Sequence, residues 1–285
     1  MKARAPASSA NLGPGYDVLA LALRLHVEVE VVPAARLGIR AEGEGADLPR
    51  DETHLAAAVV RSVLGHDRVA ITVRSSIPVG RGLGSSAALA VAAAAAAGSD
   101  EPLVVAARSD GHAENAAASR LGGLVVATLG APGGRPIARR LPLDRRLAFV
   151  VLVPDRVLST ATARAAMPES VPLTDAVHNL GRMGLLIAGL ADRRALVSAA
   201  GEDRLHQPAR TPLFPEAPAL LDALRRGGAT VSCWSGAGPS LLAICDDAQV
   251  ARHVQAAGDK ALADLGVSGR CSVVEPDLDG LVVGP

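Results

Sequence analysis

Residues 76–97 constrain this chain more than any other stretch. They read Ser76-Ile77-Pro78-Val79-Gly80-Arg81-Gly82-Leu83-Gly84-Ser85-Ser86 and then run into a segment that is almost pure alanine. Val69 to Arg74, just before, alternates and is β-branched enough to read as a strand. Ala87 to Ala97, just after, is built from the strongest helix formers. Strand, glycine loop and helix start is the arrangement that makes a helix N-terminus an anion site. Glycines let the backbone approach a phosphate, and the unpaired N–H groups and helix dipole favour its charge. Ser85 or Ser86 would cap the helix, and a hydroxyl there can reach a metal riding on the phosphates. The same residues would also serve as a tight turn ahead of a core helix. The loop is not a Walker loop, since GxxxxGK[ST] is absent, and its glycine spacing is not the Rossmann fingerprint.

Composition narrows the classes. A chain of 285 residues is long enough for two domains, each with its own core. Lys+Arg and Asp+Glu both number 29, so no net field points to nucleic acid or an acidic membrane. Four aromatics (Tyr16, Phe149, Phe214, Trp234) are too few for base-stacking platforms, so any adenine must lie between aliphatic side chains and backbone. Cys233, Cys245 and Cys271 lack metal spacing and read as small buried hydrophobes in a reducing compartment. The longest apolar run, Ala87–Ala97, is too short to span a bilayer, and no signal-like core follows Met1. A soluble, cytoplasmic protein is expected.

Along the chain, Lys2–Ala7 reads as a short extended start and residues 8–17 as a loop. A buried segment (Val18–Leu25), an alternating strand (His26–Val32) and a turn-rich edge (Gly38–Gly45) follow. Thr53 opens a helix closed by Gly65, and Pro102 starts another that ends near Ser109. Leu124–Thr128, Ile137–Leu141 and Leu147–Val153 read as strands, with a turn at 130–136. Further on come helices over 160–166 and about 175–190, a proline-broken stretch, and a helix ending at Arg226-Gly227-Gly228. A hairpin over 229–245, a helix over 247–265 and a strand over 270–275 close the chain. From Leu147 onward this is βαββαβ, the ferredoxin-like arrangement.

Four further stretches carry chemistry. In Pro6-Ala7-Ser8-Ser9-Ala10-Asn11-Leu12-Gly13-Pro14-Gly15-Tyr16-Asp17, the Asn11 amide and Asp17 carboxylate share one glycine-punctuated loop and would suit an ammonium group, or an Asx turn and a cap. Ser109-Asp110-Gly111-His112-Ala113-Glu114-Asn115 sets a histidine among carboxylates ahead of Leu121-Gly122-Gly123, an arrangement that is more often structural than catalytic. Thr160 and Arg164 share a face of a short helix, and Arg210 lies on a separate proline-rich segment. Two arginines converging from different segments bind a carboxylate; two surface arginines would look the same. Ser235-Gly236-Ala237-Gly238-Pro239-Ser240 is a glycine loop between two strands.

Gly80–Ser86 behind Pro78 resembles the ATP-binding motif of the kinases that phosphorylate galactose, homoserine, mevalonate and phosphomevalonate. The opening stretch, Pro6 to Asp17, resembles that of the homoserine kinases in particular, and Ser235–Ser240 resembles the third motif of the superfamily. The resemblance implies an α+β, two-domain fold. Residues 1–146 would form a ribosomal-protein-S5-domain-2-like ATP-binding domain and residues 147–285 a ferredoxin-like domain. It implies that ATP meets Pro78, Gly80, Arg81, Gly82, Leu83, Gly84, Ser85, Ser86, Ala87 and His54, and that Mg²⁺ meets Ser86 and Asp110. L-Homoserine would meet Asn11, Asp17, His112, Asn115, Thr160, Arg164, Arg210 and Gly236, with Asp17, Asn115 and Thr160 nearest the chemistry. Nucleic acid and membrane are not expected partners, and a homodimer is among the oligomeric states allowed. The chain departs from the family pattern in three places: Asp110 stands where a glutamate is usual, Glu114 where an aspartate is, and His54 where an asparagine precedes the leucine. No lysine lies near the glycine loop, so a Lys–Asp base pair of the mevalonate-kinase kind is not evident. A sister kinase for another small alcohol and a non-catalytic ligand sensor on the same fold are the rival readings.

Overall fold

The computed structural model describes residues 1–130 and 134–284, with Asp110 described by its backbone alone. Part of the predicted turn at 130–136 therefore lies outside the described residues.

Two long apolar strands frame the first layer. β1 (Lys2–Ala10) and β2 (Leu19–Pro33) pair antiparallel from Lys2↔Glu30 to Ala10↔Ala20, with a register shift between Pro6 and Ala7. Proline lacks an N–H for the ladder, and a bulge is where a sheet tolerates it. Both strands exceed their predicted lengths. β1 runs on through buried Ser8-Ser9-Ala10, and β2 absorbs the two segments expected over 18–32. Leu19 to Leu23 are all buried, so that half of β2 has no polar face to alternate with. β3 (Gly38–Gly43) lies parallel to β4 (Val69–Ser75), which pairs antiparallel with β2. β5 (Leu124–Thr128) pairs with the start of β2, and β6 (Ile137–Leu141) with β5.

α1 (Leu55–Leu64), α2 (Ser85–Ala96), α3 (Pro102–Asp110) and α4 (Ala113–Leu121) complete this layer. Every side chain of α2 from Ala87 to Ala96 is buried. Alanine makes that feasible, because a methyl side chain lets β1, β2 and three helices approach α2 from all sides. The predicted opening of α1 by Thr53 is corrected. The cap is His54, whose Nδ1 accepts the Ala56 N–H at 3.1 Å, while Thr53 bonds Asp51 instead. Helix α4 was not predicted. It starts at Ala113, separated from α3 by Gly111 (φ 76°) and His112, and its fully buried apolar residues are all alanine.

In the second layer, β7 (Ala148–Pro154) leads into a long crossover containing α5 (Thr160–Ala165), α6 (Leu173–Ala191), α7 (Gln207–Arg210) and α8 (Ala217–Arg226). β8 (Val231–Trp234), β9 (Leu241–Cys245), α9 (Ala248–Asp264) and β10 (Gly269–Val274) follow. The sheet order β10-β7-β9-β8, antiparallel throughout, is that of the ferredoxin-like βαββαβ. β7, β8 and β9 are buried on both faces. Phe149, Val151 and Val153 join the core shared with the first layer, whereas Val150 and Leu152 pack with residues of α8 and α9. All three cysteines are free and buried, as expected, and burial pushes each thiol up to about 12. The last strand, β11 (Val282–Gly284), returns to the first sheet and pairs with β1, Lys2↔Gly284. Among the described residues no helix is long and apolar enough to cross a membrane.

Candidate active site

The glycine loop lies between β4 and α2 with Gly80, Gly82 and Gly84 at φ 67°, 74° and 64°, a backbone region open to glycine at little cost. Close packing adds a second reason for glycine. A Cβ on Gly82 would lie 2.3 Å from the Ser235 carbonyl oxygen, and one on Gly84 would lie 2.1 Å from Ser8 Oγ. Donors from elsewhere take the loop's carbonyls: Ser8 N–H on Leu83 at 3.0 Å, Ser235 Oγ on Gly82 at 2.7 Å and Leu158 N–H on Gly80 at 3.1 Å. The third motif thus braces the first. The expected capping of α2 by Ser85 or Ser86 is corrected: Gly84 occupies the cap position in the left-handed conformation, and no side chain caps the helix. Ser85 and Ser86 are its first two residues. The opening N–H groups of an α-helix have no partner within the helix itself.

At the other end of the same cleft, Asn11, Leu12 and Asp17 all have positive φ (71°, 51° and 56°). Backbone strain of this kind gathers at functional loops. The Asn11 amide is engaged on both sides: Nδ2 donates to Gly236 O at 2.8 Å, and Oδ1 accepts the Asp17 N–H at 2.9 Å. It fixes the position of Asp17. The Asp17 carboxylate faces Arg164, with Nη2 at 3.2 and 3.3 Å from its oxygens. Arg210 is buried at 4% exposure. Its Nη1 donates to Gly236 O at 3.0 Å and to His206 Nδ1 at 3.1 Å, and its guanidinium lies over the Tyr16 ring. His206 Nε2–H in turn donates to Gly13 O at 2.8 Å, which fixes the neutral tautomer. Burial, helped by the Arg210 charge and opposed by Asp203, pushes His206 down to about 4. Among the described residues Arg210 Nε is buried with no hydrogen-bond partner. An orphaned charged donor in a cleft wall costs on the order of 1–3 kcal/mol and favours an anionic ligand there.

These two ends are walls of one cleft. It brings together Asn11, Asp17, Pro78, residues 80–87, His112, Asn115, Thr160, Arg164, Arg210 and Gly236. His54 stands apart from that wall, its ring used as the cap of α1, while its neighbour Leu55 and Leu48 do line the cleft. The Arg81 guanidinium is tied to Pro154 O and lies near Asp155, so it joins the loop to the end of β7. The Asp110 side chain lies outside the described residues. Among those described, no three His, Cys, Asp or Glu converge as a metal cluster. Sequence reasoning missed Ser8, whose hydroxyl donates to Asn115 Oδ1 at 2.8 Å, and Glu114, a cleft residue that accepts from Asn115 Nδ2 at 2.9 Å. It also missed His206 and Tyr16, which hold Arg210. The Leu205-His206…Arg210 spacing was the available signal.

A phosphate loop sharing a cleft with a charged receptor is the architecture of a small-molecule kinase, and the comparisons agree. Residues 53–123 match the GHMP kinases N terminal domain, and residues 176–264 match the GHMP kinases C terminal domain. The homoserine kinase of Streptomyces avermitilis is 40% identical over 277 residues, covering 91% of this chain and 90% of that one. That of Cutibacterium acnes is 42% identical over 265 residues, covering 86% and 88%. The crystal structure of homoserine kinase from Cytophaga hutchinsonii superposes with a TM-score of 0.87 at 26% identity, over 100% of this chain and 97% of that one. The chain belongs to the homoserine kinases of the GHMP kinase family and is a phosphotransferase.

Proposed function

We propose that the chain transfers the γ-phosphoryl group of ATP to the side-chain hydroxyl of L-homoserine, giving O-phospho-L-homoserine and ADP in threonine biosynthesis. One observation carries the reading. Asp17 and Arg164 pair with each other across an open cleft, beside a buried Arg210 with an unused donor, and the glycine loop forms the next wall. A receptor that pairs its own cation and anion is matched to a zwitterion. The ammonium replaces Arg164 at Asp17, and the carboxylate takes the two arginines. The Asp17–Arg164 pair is half exposed, so opening it costs little.

With both charges of the amino acid held, its hydroxyl extends toward the start of α2, where the opening N–H groups hold the phosphates. Phosphoryl transfer passes through a loose transition state, so positioning and charge neutralisation outweigh base strength. His112, Asn115 and Thr160 line the path of the hydroxyl and orient it, and Gly236 closes the pocket with its carbonyl held by Asn11 and Arg210. Asp17 is the carboxylate on the substrate's side. Mg²⁺, held by Ser86 and Asp110, would neutralise charge on the phosphates. Leu48, Leu55 and Val79 supply aliphatic walls for an adenine, in keeping with the scarcity of aromatics.

Steady-state assays with ATP, Mg²⁺ and a panel of L-homoserine, mevalonate, galactose and threonine test the substrate. ADP release that depends on homoserine and scarcely on the others is expected. A preference for mevalonate or galactose would assign the chain to a sister activity, and no phosphoryl transfer to any of them would favour a sensor.

A further inference from the structure

Asp203 is a buried carboxylate outside the cleft. Its side chain is fully buried, and it lies just before α7, the short helix on which Arg210 stands. Four donors converge on it. Oδ1 accepts the Leu205 N–H at 3.1 Å and Asn179 Nδ2 at 2.7 Å, and Oδ2 accepts the His206 N–H at 3.0 Å and the Gln207 N–H at 2.7 Å. An ionised carboxylate is the side chain with acceptor sites for all four. Asparagine in its place would turn an NH₂ group on two of those donors.

The neighbouring N–H is held in the same way. That of Arg204 goes to Asn179 Oδ1 at 2.9 Å, and Asn179 is itself a buried residue of α6. The N–H groups of 204–207 are thus held by two side chains before any helix bond forms. α7 depends on this. It has four residues, one of them proline, and a single turn does not sustain itself. Two further ties run sideways: Gln207 Oε1 accepts the Trp234 N–H of β8 at 2.8 Å, and His206 Nε2–H reaches Gly13 O in the first layer. Asp203 fixes the entry of α7, and His206 and Gln207 fix it against both layers.

The load on this platform is Arg210. Its backbone N–H closes the turn on His206 O at 3.1 Å, and its guanidinium stands in the cleft wall with Gly236 O and His206 Nδ1 as partners. A guanidinium recognises a carboxylate through a fixed fork of donors, so its aim matters as much as its charge. Buried among close-packed neighbours, this one has little room to re-aim, and a shift of α7 passes straight to it. A misplacement of about 1 Å can cost on the order of a hundredfold in rate.

We propose that Asp203 is a positioning residue, whose carboxylate organises the entry of α7 and so aims Arg210 at the carboxylate of the substrate. The role rests on Arg210 receiving that carboxylate. Steady-state rates with L-homoserine and with 3-aminopropan-1-ol, the analogue without a carboxylate, test it in Asp203→Ala, Arg210→Ala and the double variant. Asp203→Ala is expected to lower kcat/KM for L-homoserine about tenfold to a hundredfold, leaving the KM for ATP and the turnover of 3-aminopropan-1-ol near wild type. In the Arg210→Ala background the same substitution should cost little more, because the group it aims is gone. Thermal melts establish folding. Asp203→Asn, which keeps the shape and one capping oxygen, replaces Asp203→Ala if the latter does not fold. A general loosening would lower both substrates together. That result, full additivity with Arg210→Ala, or a folded Asp203 variant with the wild-type preference overturns the proposal and leaves Arg210 in the site. An Arg210→Ala enzyme with the wild-type preference would remove Arg210 from the site, and this proposal with it.

Discussion

Arg164 and Arg210 face the same substrate group in the proposed site but sit in different surroundings, and their substitutions separate accordingly. Arg164 is half exposed and bonds only Asp17 among the contacts described, whereas Arg210 is buried and holds Gly236 O and His206. Changing either to Ala should raise the KM for homoserine roughly tenfold to a hundredfold and leave the KM for ATP near wild type, the effect of a lost charge-assisted contact of about 1.5–3 kcal/mol. Only Arg210→Ala should also lower the urea midpoint, since it strands the buried His206 Nδ1 and removes one of the two donors to Gly236 O. Unchanged homoserine KM in both folded variants would remove the pair from the site. His206 gives a pH signature. Its folded value, about 4, lies below the unfolded value of about 6.5, so the neutral form is the one the fold favours. The stability it contributes is complete above about pH 6.5 and is lost as pH falls toward 4, at up to about 1.4 kcal/mol per pH unit. Urea midpoints measured from pH 7 to pH 4.5 should fall more steeply for wild type than for His206→Gln; parallel curves would contradict the assignment. The identities of the charged residues were readable in the sequence, because the motifs fix which residue types recur. Their bonding was not. Nothing in the order of residues says that the Asn11 amide is used on Asp17 and Gly236, or that Ser8 closes on Asn115.

Among the elements, the glycine loop was the most legible, since only glycine both accepts the left-handed backbone and lacks the Cβ that would lie 2.1–2.3 Å from Ser8 or Ser235. Gly84→Ala should lose nucleotide affinity in a calorimetric titration. Gly65→Ala supplies the control: its φ of 75° carries the same strain of about 1–2 kcal/mol, but its Cβ would meet nothing, and it caps α1 away from the cleft. Both should melt earlier than wild type, and only the first should bind ATP weakly. Equal affinity in both would place the phosphates elsewhere. The elements that escaped the sequence did so for local reasons. Helix α4 has alanine where a periodic signal needs larger apolar residues, and the polar stretch before it reads as loop. β2 looks like two segments because it is buried on both faces at its start and alternates only later. The cap of α2 was misassigned to serine because side-chain preference ranks serine first, whereas the close approach of Ser8 leaves room only for glycine at position 84.

At the scale of the molecule, the proposed site exists only because the two layers meet. Asn11, Asp17 and the glycine loop come from the first layer, and Arg164, Arg210 and Gly236 from the second; the Asn11–Gly236 and Ser235–Gly82 hydrogen bonds join them. The βαββαβ order of the second layer was readable from its strand and helix pattern. The return of β11 to the first sheet was not, because three residues carry no period of their own. The central claim is that this junction reads both charges of an amino acid while presenting its alcohol to ATP. The direct measurement is kcat/KM for L-homoserine against two analogues that keep the alcohol: 4-hydroxybutanoate, which lacks the ammonium, and 3-aminopropan-1-ol, which lacks the carboxylate. Each should fall by at least about tenfold to a hundredfold, the loss of one charge-assisted recognition, and Arg164→Ala should narrow the gap for 3-aminopropan-1-ol alone. Turnover of either analogue by the wild type at the rate of homoserine would contradict the account.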